Sequence, residues 1–101
     1  MTKLLDEIHP GEILLEDFMR PMGITARQLS LGIDVPMSRI SEILHGTHSI
    51  MADTASQLGL FFNMDPRFWM NLQMEYDMRV AKRTLQEKIE PRIRVFQMLA
   101  A

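Results

Sequence analysis

Apolar residues recur along the chain at the three- and four-residue spacing of helices in five successive stretches, each bounded by a residue that starts or stops a helix. The first opens at His9-Pro10-Gly11-Glu12 and runs to about Met19, with Ile13, Leu14 and Phe18 inward and Glu12, Glu16 and Asp17 outward; Pro21 and Gly23 are expected to end it. The second starts at Thr25, where Gln28 completes a capping box and Ile24 and Leu29 form a hydrophobic staple; Leu29 and Ile33 face inward until Asp34. The third lies between Pro36 and Gly46, with Ile40, Ile43 and Leu44 as its buried stripe and Met37, Ser38, Arg39, Ser41 and Glu42 outward. The fourth, about Ala52 to Phe62, turns Ala55, Leu58 and Phe62 inward, and Met51 leaves its start without a capping side chain. Asn63 stops it, and Asp65-Pro66 starts the fifth and longest, Pro66 to Leu85.

That fifth helix has two apolar sides. Trp69, Leu72, Tyr76 and Val80 project one way, and Met70, Met74, Met78, Ala81 and Leu85 nearly the other. A terminal helix on a small domain buries one face against its own bundle, so the methionine face calls for a partner, and a second copy of the chain is expected there. Beyond it, Ile89, Pro91, Ile93 and Val95 alternate across Lys88 to Phe96, which predicts an extended edge segment, and residues 97–101 are expected to fray.

The spacing inside Thr25 to Gly46 is the most specific feature. A short residue at Ser30, a turn residue at Asp34 and apolar Val35, Ile40 and Ile43 match a helix-turn-helix, in which the second helix lies in a DNA major groove. An ordinary helical hairpin accounts for two helices and not for that detail.

At 101 residues, 47% hydrophobic and 24% charged, the chain fits one globular domain, 1–101, with no linker or repeat. The absence of cysteine excludes a thiol nucleophile, disulfides and thiolate zinc ligation, and fits a reducing cytosol. No apolar run reaches membrane-spanning length and Met1 to Glu7 has no signal-peptide core, so a soluble cytoplasmic protein is expected. The net charge of -2 does not favour indiscriminate nucleic-acid binding, and six of the 11 basic residues follow residue 78. His45 and His48, with Gly46 between them and no third donor, read as loop histidines rather than metal ligands, and His9 reads as a helix-start residue. Without a phosphate loop, nucleophile elbow or histidine-carboxylate set, neither enzyme nor cofactor is expected.

Several of these motifs occur together: His9-Pro10-Gly11-Glu12-Ile13-Leu14, the Leu29, Ile33, Val35, Ile40, Ser41, Gly46 core, Asp53-Thr54-Ala55, and Phe68-Trp69-Met70-Asn71-Leu72-Gln73 followed by Tyr76-Asp77. With them, His9 to Ala81 resembles the HigA/VapI-type antitoxins of the phage-repressor-like helix-turn-helix superfamily. The resemblance implies an all-α, five-helix lambda-repressor-like domain with a long C-terminal helix and a short extended tail. It implies a homodimer that represses its own operon on double-stranded operator DNA and silences a cognate HigB-like ribonuclease toxin. The DNA-binding positions are then Thr25, Gln28, Met37, Ser38, Arg39, Ser41, Glu42, Thr47 and His48, within a helix-turn-helix at about 25–46. Met70, Met74, Met78 and Ala81, on a dimerisation helix at about 66–85, form the contact between copies. The chain departs from the family pattern at Glu42, Thr47, His48, Met51 and near Gln57, where basic or capping residues are usual, so few phosphate contacts are expected. Two other readings share these motifs: a stand-alone regulator without a toxin, and a protein-binding module that no longer holds DNA.

Overall fold

The computed structural model describes residues 8–98; the stretch Met1 to Glu7 and most of 97–101, where fraying is expected, lie outside the described residues. Among the described residues five helices build the molecule. α1 comprises Pro10–Ile13, Leu14–Met19 and Arg20–Met22; α2 is Ala26–Ile33, α3 Met37–Leu44, α4 Ala52–Phe62 and α5 Arg67–Lys88. A single 3-10 turn, Glu90–Arg92, follows.

α1 begins where the sequence placed it, with Pro10 in the first turn and His9 as an extended N-cap whose Nδ1 accepts the Gly11 N–H at 2.9 Å. It does not stop before Pro21. Leu14–Met19 is wound in the wider π register, and the Arg20 N–H reaches back five residues to the Leu15 carbonyl. Proline lacks an N–H and its ring collides with the carbonyl four residues back in a regular α-helix. The local π winding admits it, and the helix ends one residue further on, at Met22.

Four helices end alike. Gly23 (φ 66°), Asp34 (57°), Gly46 (78°) and Asn63 (54°) are left-handed, and in each case the next residue's N–H returns to a carbonyl five positions back: Ile24 to Met19, Val35 to Ser30, Thr47 to Glu42 and Met64 to Gly59. Ile24, Val35 and Met64 also fold back onto the core, so each stop is hydrogen-bonded and packed at once.

α2 packs on α3 and α4, α1 on α3 and α5, and α4 on α5. Leu14, Met19, Leu29, Ile33, Ile40, Ile43, Ile50, Leu58 and Trp69 are buried at the centre. Trp69 is fully enclosed, with the Phe18, Phe68 and Phe62 rings at centroid distances of 4.8, 5.0 and 6.4 Å. Burying a side chain of this size stabilises by about 1.5–3 kcal/mol or more, which makes α5 the keystone of the bundle.

α5 starts as expected: Asp65 Oδ1 accepts the Arg67 N–H at 2.9 Å, and Pro66 is already helical at φ -60°, ψ -22°. It continues three residues past Leu85, to Lys88. The extended edge segment expected over 88–96 is only partly extended. Its first part is helix and the turn around Pro91, held by Arg92 N–H to Ile89 O (2.8 Å) and Ile93 N–H to Glu90 O (3.1 Å). From Ile93 the chain is extended and exposed, and no strand occurs among the described residues to give an edge its ladder. The molecule is elongated, 61 × 37 × 21 Å.

Candidate nucleic-acid interface

The turn between α2 and α3 is closed by its own residues. Thr25 Oγ1 accepts the Gln28 N–H (3.1 Å) and Gln28 Oε1 accepts the Thr25 N–H (2.8 Å), the reciprocal capping box read from the sequence. At the other end Asp34 adopts φ 57°, ψ 49°, and the Ser30 hydroxyl donates to the Val35 carbonyl at 2.5 Å. An alanine at position 30 would lack that donor. Val35 is buried, and Pro36, extended at ψ 145°, delivers the chain into α3.

α3 is pinned from behind by Ile40 and Ile43, each about 1% exposed, and by α1. Gly11 lies so close that a Cβ on it would overlap the Ile43 carbonyl oxygen, so α1 and α3 are in backbone contact there. Met37, Ser38, Ser41 and Glu42 remain exposed on the opposite side. Arg39 is half-buried, contrary to its expected outward position: its Nε is enclosed and makes no hydrogen bond within the protein. The stem is therefore held against the domain, which restricts where the end of the guanidinium can reach.

The remaining sequence candidates divide by which hydrogen-bonding groups are already used. Thr25 and Gln28 spend acceptors on the capping box and keep the hydroxyl proton and the Nε2 amide protons, donors suited to phosphate oxygens. Thr47 uses its hydroxyl as a donor to the Glu42 carbonyl at 3.2 Å and so closes the end of α3. His48 Nδ1 bonds the Ser49 carbonyl (2.7 Å), and His45 Nδ1 bonds the Ser41 carbonyl (2.7 Å). Each ring thereby directs Nε2 elsewhere. Arg27, exposed in the first turn of α2 between Thr25 and Gln28, is a cation at this face that the pattern-based reading passes over.

On α5, Met74 and Met78 are exposed at 53% and 63%, Ala81 is half-buried and Met70 packs against the core of its own chain. Met70 thus belongs partly to the monomer. Gln73, absent from both apolar stripes, is buried: its Oε1 accepts the Ile50 N–H at 2.8 Å and its Nε2 donates to Asp77 Oδ1 at 2.9 Å. One side chain so ties α5 to the segment that leaves the α3 end. Its sequence signals are its place in the Phe68 to Gln73 motif and its position one turn from Trp69 on the inner side. Among the described residues no group of three or more His, Cys, Asp or Glu could hold a metal ion, and no helix is long and apolar enough to cross a membrane. A tight left-handed turn, a pinned second helix and a free polar face on that helix define a helix-turn-helix protein.

Known proteins agree with that class and narrow it. Virulence-associated protein I of Dichelobacter nodosus is 43% identical over 79 residues, which are 78% of this chain and 73% of the relative. Among solved structures, an addiction module antidote protein of the HigA family from Coxiella burnetii superposes with a TM-score of 0.79 at 42% identity, over 88% of this chain and 97% of its own. Pseudomonas aeruginosa antitoxin HigA, solved with the higBA promoter, gives a TM-score of 0.82 at 34% identity, over 89% and 98%. No family model matches the chain. The protein belongs to the HigA/VapI-type family of helix-turn-helix antitoxins.

Proposed function

We propose that the protein is a cytoplasmic antitoxin that binds its own operator as a homodimer and neutralises a HigB-like ribonuclease, acting by binding rather than by catalysis and without a cofactor. The observation that carries the DNA half is α3: its apolar side is fixed by Ile40, Ile43 and the Gly11 contact, while Met37, Ser38, Ser41 and Glu42 stay free. A twofold pair of such helices roughly 34 Å apart fits a palindrome with half-sites one turn apart. Donors left on Thr25 and Gln28, with Arg27 beside them, suit the flanking phosphates, which set register; Arg39 and its small polar neighbours suit base edges, with Glu42 placed to accept from cytosine. The toxin half is supported by membership of the antitoxin family.

The test is a salt titration of operator and scrambled duplexes with wild type and Arg39→Ala. Affinity should fall steeply with salt, by roughly 0.9 in log-log slope for each phosphate neutralised. Arg39→Ala should cost about 1–3 kcal/mol on the operator and relax preference at one base pair per half-site. An equal loss on both duplexes would make Arg39 a phosphate contact. No preference of wild type for its own promoter at low salt would remove the repressor function and leave a protein-binding module, a reading the net charge of -2 favours.

A further inference from the structure

Hydrogen bonding accounts for part of the free face of α3 and not for Met37. Ser38 and Ser41 are short hydroxyls, Glu42 accepts, and Arg39 is held half-buried with its Nε enclosed. Met37 is the first residue of α3, the end from which a recognition helix meets base edges. It is 46% exposed, whereas Ile40 and Ile43 of the same helix are about 1% exposed, so the core of the domain does not explain an apolar residue there. Pro36 fixes where it stands: extended at ψ 145°, its carbonyl accepts the Arg39 and Ile40 N–H groups at 3.0 and 3.1 Å. Ser38 beside Met37 and Ser41 one turn on are both exposed and short, and neither shields the thioether.

A thioether has no donor and is a weak acceptor. Pressed against polar base edges, it removes their water without replacing the hydrogen bonds, which is unfavourable. The major groove offers it one apolar group, the C5-methyl of thymine. An unbranched, polarizable side chain with three rotatable bonds is well suited to close on such a methyl. We propose that Met37 selects a thymine in each half-site by apolar contact with its 5-methyl group. The other three bases lack that methyl, and a purine at the same place would turn hydrogen-bonding atoms towards a side chain that cannot answer them. The proposal rests on the reading of the chain as an operator-binding repressor and names the base chemistry that one residue of its recognition helix takes.

Deoxyuridine pairs as thymidine does and lacks only the 5-methyl group, so the contact can be removed from the DNA without touching the protein. Full-length wild type, Met37→Ser and Met37→Leu are titrated by fluorescence anisotropy against the native promoter duplex and a scrambled duplex. A third set of duplexes carries deoxyuridine at symmetry-related thymines of the footprinted half-sites, one pair at a time. At one such pair wild type should lose about fifteenfold in affinity, from about fourfold per half-site for one methyl group. Met37→Ser should bind that substituted duplex and the native one equally, within about twofold, and Met37→Leu, which keeps the hydrocarbon, should retain a loss of about fivefold or more. Wild type losing less than about twofold at every pair, or a loss that persists in Met37→Ser, would overturn the assignment; a preference for promoter over scrambled duplex would then leave the repressor reading standing. A wild type without that preference would overturn both.

Discussion

His9 performs a task that only its neutral form can perform. Its Nδ1 accepts the Gly11 N–H, the ring meets Tyr76 edge-on with a centroid distance of 4.8 Å, and its carbons lie against the bare Cα of Gly46 at the end of α3. Burial lowers its pKa below the ordinary value near 6.5, while Asp77 and Glu12 pull it back up by a smaller amount. The unfolded chain therefore binds this proton at a higher pH than the folded one. The stability His9 contributes is complete above pH about 6.5 and is lost as pH falls from there towards the folded pKa. Urea unfolding between pH 5 and 8 should show that loss in wild type, and His9→Gln should reduce it in this window. An unchanged slope would mean that the protonated ring is tolerated. The sequence shows a histidine at a helix start; it does not show that Gly11, Gly46 and Tyr76 converge on it, because they come from three separate parts of the chain.

At the level of elements, legibility follows locality. The capping box at Thr25, the stop at Asp34 and the Asp65-Pro66 start are decided by residues within a few positions of one another, and the structure has them where the sequence puts them. The passage of α1 through Pro21 is a local conflict resolved by tertiary packing of Leu14 and Met19, which no spacing rule foresees. Gln73 is part of the Phe68 to Gln73 motif, but its inward role is not legible there, because amphipathic patterns count apolar residues and this inward position is polar. Replacing it by leucine leaves the buried Ile50 N–H without a partner and should cost about 1–3 kcal/mol in chemical denaturation; a neutral result would mean that water satisfies that amide. Met51 offers the converse case. It is 55% exposed, extended at φ -92°, ψ 172°, and gives α4 no side-chain cap. Asp53 Oδ1 already accepts the Thr54 N–H at 2.8 Å, so a hydroxyl at position 51 adds only part of a full cap. Met51→Thr should therefore stabilise by about 0.5–1 kcal/mol, the lower half of the capping range, read as a raised thermal midpoint. A lowered midpoint would show that the methionine packs.

For the whole molecule the question is what α5 does beyond its own bundle. The radius of gyration of the molecule is 17.6 Å, against about 13 Å for a compact chain of this length. Along α5 Met74, Met78 and Leu85 are exposed, and Ile93, Val95 and Phe96 follow at 66%, 85% and 84%. Apolar surface this continuous is uncommon on a monomer and is the mark of an association face. A homodimer would bury it on both copies and set the two α3 helices at a fixed distance. Met74 carries the sharpest test, because it is solvent-facing in the single chain and its replacement by glutamate should leave the fold and melting of the monomer unit intact. In a twofold contact the substitution enters twice, and two carboxylates brought together in an apolar interface repel and lose hydration. Met74→Glu should weaken self-association by at least ~100-fold and convert a dimer to a monomer in light scattering at micromolar concentration. Operator affinity should fall with it, since one half-site contact is lost per monomer. A Met74→Glu protein that still scatters as a dimer would move the interface off this stripe, to the tail or to another face.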